Sequence, residues 1–222
     1  MAADQLDIDD TSWLAVKGAS IDAVVGLLSL SPRCPAIWER GLQAAAGDYE
    51  DFFEGGSEWG ELDCVFLTPM VRGWRLVVGN YLGAGPATRS PDDNRTGWRT
   101  VAGWCRRLSR EFGQAHAFTD QAQMDWYSWI LARDGSVFRQ AVIEDGEFLS
   151  DRGDPTGVEA RLRARFVPDE IRQKWQPDVG DVATIAGEWS VNPWKLGAAG
   201  MKNAVGAVAV TPWGRRHGVR SK

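Results

Sequence analysis

The clearest hydrophobic pattern in the chain lies between Cys64 and Tyr81, where two runs of β-branched and aromatic residues flank a short connection that ends in Gly73. Such runs on either side of a glycine-containing turn are typical of a β-hairpin. The first run, Cys64 to Thr68, is apolar at every position but the last, so we expect a strand that is covered on both faces.

A second group of strands is predicted between residues 115 and 150. Met124 to Arg133 is a long run rich in aromatic residues, and Val137 to Glu144 is a further strand candidate with both apolar and polar side chains. Two Asp-Gly pairs, at 134–135 and 145–146, supply tight turns of the kind that join antiparallel strands. The pattern therefore predicts a β-meander.

Helical periodicity marks the segments around these strands. Residues 96–112 form the clearest helix, with an apolar stripe from Trp98 to Phe112 and Gly113 as its end. The other predicted helices span residues 20–30 with Ser20 as N-cap, 35–46 with Pro35 in the first turn, 154–166 with Asp154 as N-cap, and a segment that Asp178 begins.

These elements predict an α+β fold built on a mainly antiparallel sheet, with helices packed on one face and further helices at both ends. Residues 13–193 are the predicted single domain. Residues 1–12 are predicted to be a flexible N-terminus, and residues 194–222, which are Gly/Ala-rich and then basic, a C-terminal tail outside the domain.

The charge is unevenly distributed along the chain. Residues 1–63 hold 13 acidic and 3 basic side chains, whereas residues 64–222 hold 17 and 22, for a net charge of −5. Such asymmetry is typical of a protein that meets a charged partner, although solvated surface accounts for it equally well.

The acidic charge is concentrated in residues 47–63, which carry seven acids, no base and four interleaved aromatic rings. Acids steer a basic protein surface and rings bury area against it, so this segment predicts a partner-binding surface. Its predicted binding residues are Asp48, Tyr49, Glu50, Asp51, Phe53, Glu54, Glu58, Trp59 and Glu61. One alternative is a solvated loop whose rings pack into the core. A calcium loop is less favoured because the EF-hand spacing is missing.

Residues for catalysis or metal binding are sparse. The chain has two histidines, His116 and His217, and three widely spaced cysteines, Cys34, Cys64 and Cys105. It has no G-x-S-x-G, P-loop or G-x-G-x-x-G motif and no CxxC pair. We therefore expect no catalytic residues, no cofactor and no metal, although carboxylates that are distant in sequence could still form a hydrolase site.

The ends of the chain and its apolar runs bear on location. The acidic N-terminus lacks the basic region and apolar run of a signal peptide, and the longest apolar runs are far shorter than a membrane span. We expect a soluble cytoplasmic protein that does not bind membranes.

Several segments occur in a recognisable order: VFLTP at 65–69, GW at 73–74, VVG at 77–79, LSREFG at 108–113, WILARDG at 129–135 and IAGEWSVNP at 185–193. This order resembles a group of uncharacterised bacterial proteins, and the resemblance implies a common fold over about residues 13–193. In its acidity and lack of a catalytic set, the chain is also similar in character to immunity proteins, which neutralise a toxin, often by covering a basic active site.

The sequence therefore favours a non-catalytic protein-binding module, an immunity protein whose partner is a toxin domain with a basic surface. Two alternatives stay open: a hydrolase with scattered carboxylates, and a nucleic-acid binder that uses Arg99, Arg106 and Arg110 on one helix face. Nucleic acid is the less favoured partner because the protein is acidic overall.

Overall fold

A computed structural model describes residues 10–83, 91–168, 174–178, 180–196 and 204–222, without the side chains of 91–96. Its strands are β1 (Thr11–Lys17), β2 (Arg33–Ile37), β3 (Phe53–Glu54), β4 (Cys64–Val71), β5 (Trp74–Val78), β6 (Gln114–Gln121), β7 (Trp126–Arg133), β8 (Ser136–Glu144), β9 (Glu147–Arg152), β10 (Val205–Val210) and β11 (Arg220–Ser221). Within these ranges, nine strands form one antiparallel sheet in the order β2-β10-β4-β5-β1-β6-β7-β8-β9. Strands β3 and β11 pair separately.

The helices are α1 (Ile21–Leu28), α2 (Trp38–Ala45), α3 (Pro91–Phe112), α4 (Gly157–Arg165), α5 (Asp181–Trp189) and α6 (Pro212–Arg216). The fold is therefore α+β with a large antiparallel sheet, as the sequence predicted. None of the helices in the described ranges is long and apolar enough to cross a membrane.

The helices cover both faces of the sheet, whereas the sequence placed them on one. Side chains alternate along each strand, so Trp129 and Leu131 of β7 enter one core while Ile130 and Ala132 enter the other. Helices α2, α4 and α5 pack over the first core, and α1 and α3 over the second. Strands with apolar residues on both sides need this double cover.

The predicted turns are confirmed. Arg72 and Gly73 join β4 to β5 with φ of 50° and 83°, the left-handed conformation of a tight hairpin turn. The pairs Asp134-Gly135 and Asp145-Gly146 adopt the same conformation between β7, β8 and β9. Local turn chemistry therefore fixes the register of the meander.

The N-terminal boundary needs correction. Strand β1 begins at Thr11, inside the segment predicted to be flexible, and pairs with both β5 and β6 at the centre of the sheet. Residues 1–9 lie outside the described ranges. The apolar run of β1, residues 13–16, is fully buried but short, and it gives no periodic signal of its own.

The C-terminal boundary is also corrected. Strand β10 lies inside the sheet between β2 and β4, so the end of the chain belongs to the domain. Its small residues are required by close packing. A Cβ added at Gly206 would lie 2.2 Å from the Leu67 carbonyl oxygen and 2.7 Å from the Phe66 ring.

Four helix starts differ from prediction. Helix α3 begins at Pro91 rather than at residue 96, and α5 begins at Asp181, after Gly180, rather than at Asp178. Pro35 lies in the edge strand β2, where its missing N–H is tolerated, and α2 begins only at Trp38. Helix α4 is capped by Thr156 rather than Asp154, because Thr156 and Glu159 form a reciprocal capping box.

Candidate protein-binding surface

The segment of residues 47–63, here called the acidic segment, connects α2 to β4 and is held by two buried rings. Tyr49 is 5% exposed and Phe53 is 1% exposed, and both belong to the core that α2 covers. In this conformation neither ring is available to a partner, although the sequence predicted both as binding residues. Their burial matches the alternative in which rings of this segment pack inward.

A buried carboxylate fixes the loop between these rings and β4. Asp63 is fully buried and accepts hydrogen bonds from the Tyr49 hydroxyl at 2.6 Å, the Ser57 amide at 2.8 Å and the Ser57 hydroxyl at 3.0 Å. Burial raises the pKa of the Tyr49 hydroxyl, and the bond to Asp63 raises it further. A buried carboxylate is tolerated when donors surround it, so this network gives the segment a defined shape.

Glycine is required where the loop passes over the network. Gly56 has φ of 140°, and a Cβ there would lie 1.9 Å from the Tyr49 hydroxyl oxygen. Only a residue without a side chain fits this approach.

The other acids of the segment point to solvent. The side chains of Asp48, Glu50, Asp51, Glu54 and Glu58 are exposed, and Glu61 and the Trp59 ring are half-buried. Seven of the nine predicted binding residues therefore lie at the surface. We call the six carboxylates the acidic patch: Asp48, Glu50, Asp51, Glu54, Glu58 and Glu61.

Three acids of the acidic patch are paired within the protein. Arg40 of α2 bonds Asp48 at 3.2 Å and Asp51 at 2.6 Å, and its pKa is raised, first by the bond to Asp48. Arg220 bonds Glu54 at 2.8 Å. All these pairs are exposed and contribute little to stability.

The other three acids, Glu50, Glu58 and Glu61, have no ion-pair partner among the described residues. The two ends of the segment, which carry Glu50 and Glu61, approach each other, since a Cβ at Gly47 would lie 3.3 Å from the Glu61 amide nitrogen. The two ends of the segment thus present their uncompensated charge on neighbouring turns.

The C-terminal part of the chain supports the acidic segment through contacts that the sequence analysis did not predict. Thr211 donates its amide to the Asp63 carbonyl at 2.9 Å and its hydroxyl to the Leu62 carbonyl at 2.8 Å. Trp213 donates its indole N–H to the Ser57 hydroxyl at 3.3 Å. Apolar periodicity does not report such contacts, because they join residues about 150 positions apart.

The cysteines lie in apolar surroundings. Cys64 and Cys105 are buried, and burial raises the pKa of both thiols, that of Cys105 to about 12. Cys34 is half-buried on the edge strand. It lines an open cavity of about 370 Å³ between α1 and β2 that the Asp22–Arg33 ion pair borders. In the described part of the chain, no three His, Cys, Asp or Glu side chains come together as a metal-binding set.

The two histidines have different environments. His116 is buried among the rings of Trp74, Phe118 and Trp189, and burial lowers its pKa to about 4, with the charge of Arg133 acting in the same direction. His217 is exposed and stacks on Trp213 with ring centroids 4.2 Å apart.

The arginines proposed for a nucleic-acid face, Arg99, Arg106 and Arg110, are exposed on α3. The Arg99 guanidinium lies over the Trp98 ring at 5.1 Å. These positions form a solvent-facing side of the helix, opposite the side that contacts the sheet.

Comparison of the chain with protein-family models, with curated proteins and with solved structures found no match.

Proposed function

We propose that this chain is a protein-binding module whose acidic patch receives a basic protein surface, and that it acts as an immunity protein against a bacterial toxin. The main support for this proposal is the way in which the acidic segment is held in the fold. Buried groups, namely Tyr49, Phe53 and Asp63, hold a loop whose remaining carboxylates point outward. Three of these, Glu50, Glu58 and Glu61, have charge that no described basic residue balances.

A preformed acidic surface suits rapid, stoichiometric binding. Carboxylates accelerate the encounter with a basic partner, and an already ordered loop loses little conformational entropy when it binds. The half-buried Trp59 ring lies among the acids and offers apolar area that a partner can bury.

The toxin proposal follows from the chemistry of such a partner. Toxins that act on nucleic acid need a basic cleft for phosphate, and the same cations are attracted by closely spaced carboxylates. A protein that occupies the cleft with carboxylates blocks substrate access without any reaction of its own.

Co-expression tests the function directly. The candidate toxin, the protein encoded by the neighbouring gene, is expressed from an inducible promoter, with and without the chain, and cell growth is followed. The proposal predicts that the chain restores growth and that a variant with Glu50, Glu58 and Glu61 changed to Lys does not. Equal growth arrest with and without the wild-type chain would contradict it.

A matched control separates the patch from net charge. Glu111, Glu147 and Asp154 are also exposed and lie outside the acidic segment. Their change to Lys alters the net charge equally, so this variant is expected to protect cells as well as the wild type does.

A further inference from the structure

The last residues of the chain pair with the middle of the acidic segment. In the small antiparallel sheet, Arg220 lies opposite Glu54 and Ser221 opposite Phe53. The Arg220 Nε donates to Glu54 Oε1 at 2.8 Å. Next to this pair, a Cβ at Gly55 would lie 2.3 Å from the Gly218 carbonyl oxygen, so the two backbones are in close contact.

The chain is firmly held up to Val219 and only weakly beyond it. Val219 is buried in the core that includes Tyr49 and Phe53. The residues after it form a two-residue strand, and the Arg220–Glu54 pair is exposed, with side chains 75% and 50% accessible. Such contacts are worth little individually and open locally without global unfolding.

We infer that Arg220 is a positioning residue for the acidic patch: strand β11 holds residues 53–57 in the conformation that presents Glu54 and Glu58. The conformation matters because the apparent affinity for a partner falls with the fraction of molecules in the binding-competent state. The importance of Arg220 for partner binding rests on the proposed function. Its effect on the conformation of residues 53–57 is a property of the free protein.

Hydrogen exchange of the free protein, read by mass spectrometry on peptides that cover residues 53–57, tests this. Arg220→Glu and Glu54→Arg each place like charges together, and each is expected to accelerate exchange about twofold to fivefold, the range for loss of an exposed ion pair. The charge-swapped double variant restores the pair and is expected to exchange at the wild-type rate. Deletion of residues 220–222 is expected to accelerate exchange more than either substitution.

Lys222→Glu is the matched control, since Lys222 is exposed and has no ion-pair partner among the described residues. It is expected to leave exchange unchanged. Unchanged exchange in Arg220→Glu, or a double variant that exchanges as fast as the single variants, would overturn the inference.

The two proposals fail in different experiments. No partner is present in the exchange measurement, so its outcome does not depend on the toxin. If binding to a partner is unaffected by reversal of Glu50, Glu58 and Glu61, the proposed function fails while the positioning role of Arg220 stands.

Discussion

The hydroxyl of Tyr49 donates a hydrogen bond to the carboxylate of Asp63 at a distance of 2.6 Å, and both residues are buried. The bond joins the first turn of the acidic segment to its last residue, directly before β4. The Tyr49–Asp63 bond therefore closes the thirteen residues between them into a loop that is attached to the core. The exposed acids of this loop have a fixed arrangement as a result.

Tyr49→Phe is expected to reduce the free energy of unfolding by about 1–2 kcal/mol, because a hydrogen bond to a buried charged group is lost while the ring stays packed. Urea denaturation measures the change. Tyr81→Phe is the control: the Tyr81 ring packs against Trp104 in a tilted arrangement, and its hydroxyl makes no hydrogen bond within the described ranges. A control variant that is destabilised as much as Tyr49→Phe would contradict the assigned role of the bond.

A buried ion pair holds α4 to the sheet. Arg139 of β8 and Glu159 of α4 are both 0% exposed and bond through Nε and Nη2 at 2.9 and 2.6 Å. Glu159 also accepts the Thr156 amide at 2.8 Å as part of the capping box. Glu159→Gln leaves Arg139 partly uncompensated and is expected to cost about 3 kcal/mol in chemical denaturation.

Glu188→Gln is the matched control for Glu159→Gln, because it removes the charge of an exposed ion pair instead of a buried one. Glu188 pairs with Arg161 on the surface, so its loss is expected to cost less than about 1 kcal/mol. Equal destabilisation by the two variants would show that the buried pair has no special role.

His116 makes stability depend on pH. Its imidazole accepts the Ala132 amide at Nδ1, and burial lowers its pKa to about 4 from 6.5. Between pH 4 and pH 6.5 the unfolded chain therefore binds more protons at this residue than the folded protein does. The free energy of unfolding falls as the pH drops through this range. Because of His116, the free energy of unfolding is expected to be about 2 kcal/mol lower at pH 5 than at pH 7.

The histidine contribution is isolated by comparing urea denaturation at both pH values for the wild type and His116→Gln. The variant is expected to lose about 2 kcal/mol less than the wild type over this interval. His217→Gln, at an exposed position, is expected to follow the wild type. A His116→Gln variant with the wild-type pH dependence would contradict the prediction.

Strand β10 is predicted to be intolerant of even one methyl group. Gly206→Ala would place Cβ 2.2 Å from the Leu67 carbonyl oxygen and is expected to destabilise the protein by about 2 kcal/mol. Gly103→Ala is the matched change inside α3, where nothing lies within 4 Å of the added Cβ, and it is expected to stabilise by about 0.5–1 kcal/mol. Melting temperatures that shift in the same direction for both variants would contradict this account of β10.

Local signals in the sequence were sufficient for much of the fold. The turns at Gly73, Gly135 and Gly146 need left-handed backbone, and the residues that adopt it are recognisable from sequence. The apolar stripe of α3 and the Ser20 cap of α1 are likewise short-range features. The fold class follows from these elements in order.

Long-range contacts account for what the sequence did not reveal. Strand β10 contains three valines, which favour strands, but it lies in a Gly/Ala-rich part of the chain, and its place in the sheet is set by β2 and β4, which lie far away in the chain. In the acidic segment, the pattern of acids and rings is compatible with rings that face a partner or the core. The structure shows that Tyr49 and Phe53 are buried, and that Asp63 beneath the loop binds the Tyr49 hydroxyl.

The proposed function requires that the acidic patch binds a basic protein. The affinity of the purified protein encoded by the neighbouring gene is measured for the wild type, for the variant with Glu50, Glu58 and Glu61 changed to Lys, and for the control with Glu111, Glu147 and Asp154 changed to Lys. Measurements at several salt concentrations separate long-range electrostatic steering from short-range contacts in the complex. Salt weakens the steering, since exposed charges are screened over ~8–10 Å near physiological salt. We expect at least about 100-fold weaker binding for the patch variant, with most of the loss in the association rate at low salt, and less than about threefold change for the control. Equal affinity of the wild type and the patch variant would contradict it.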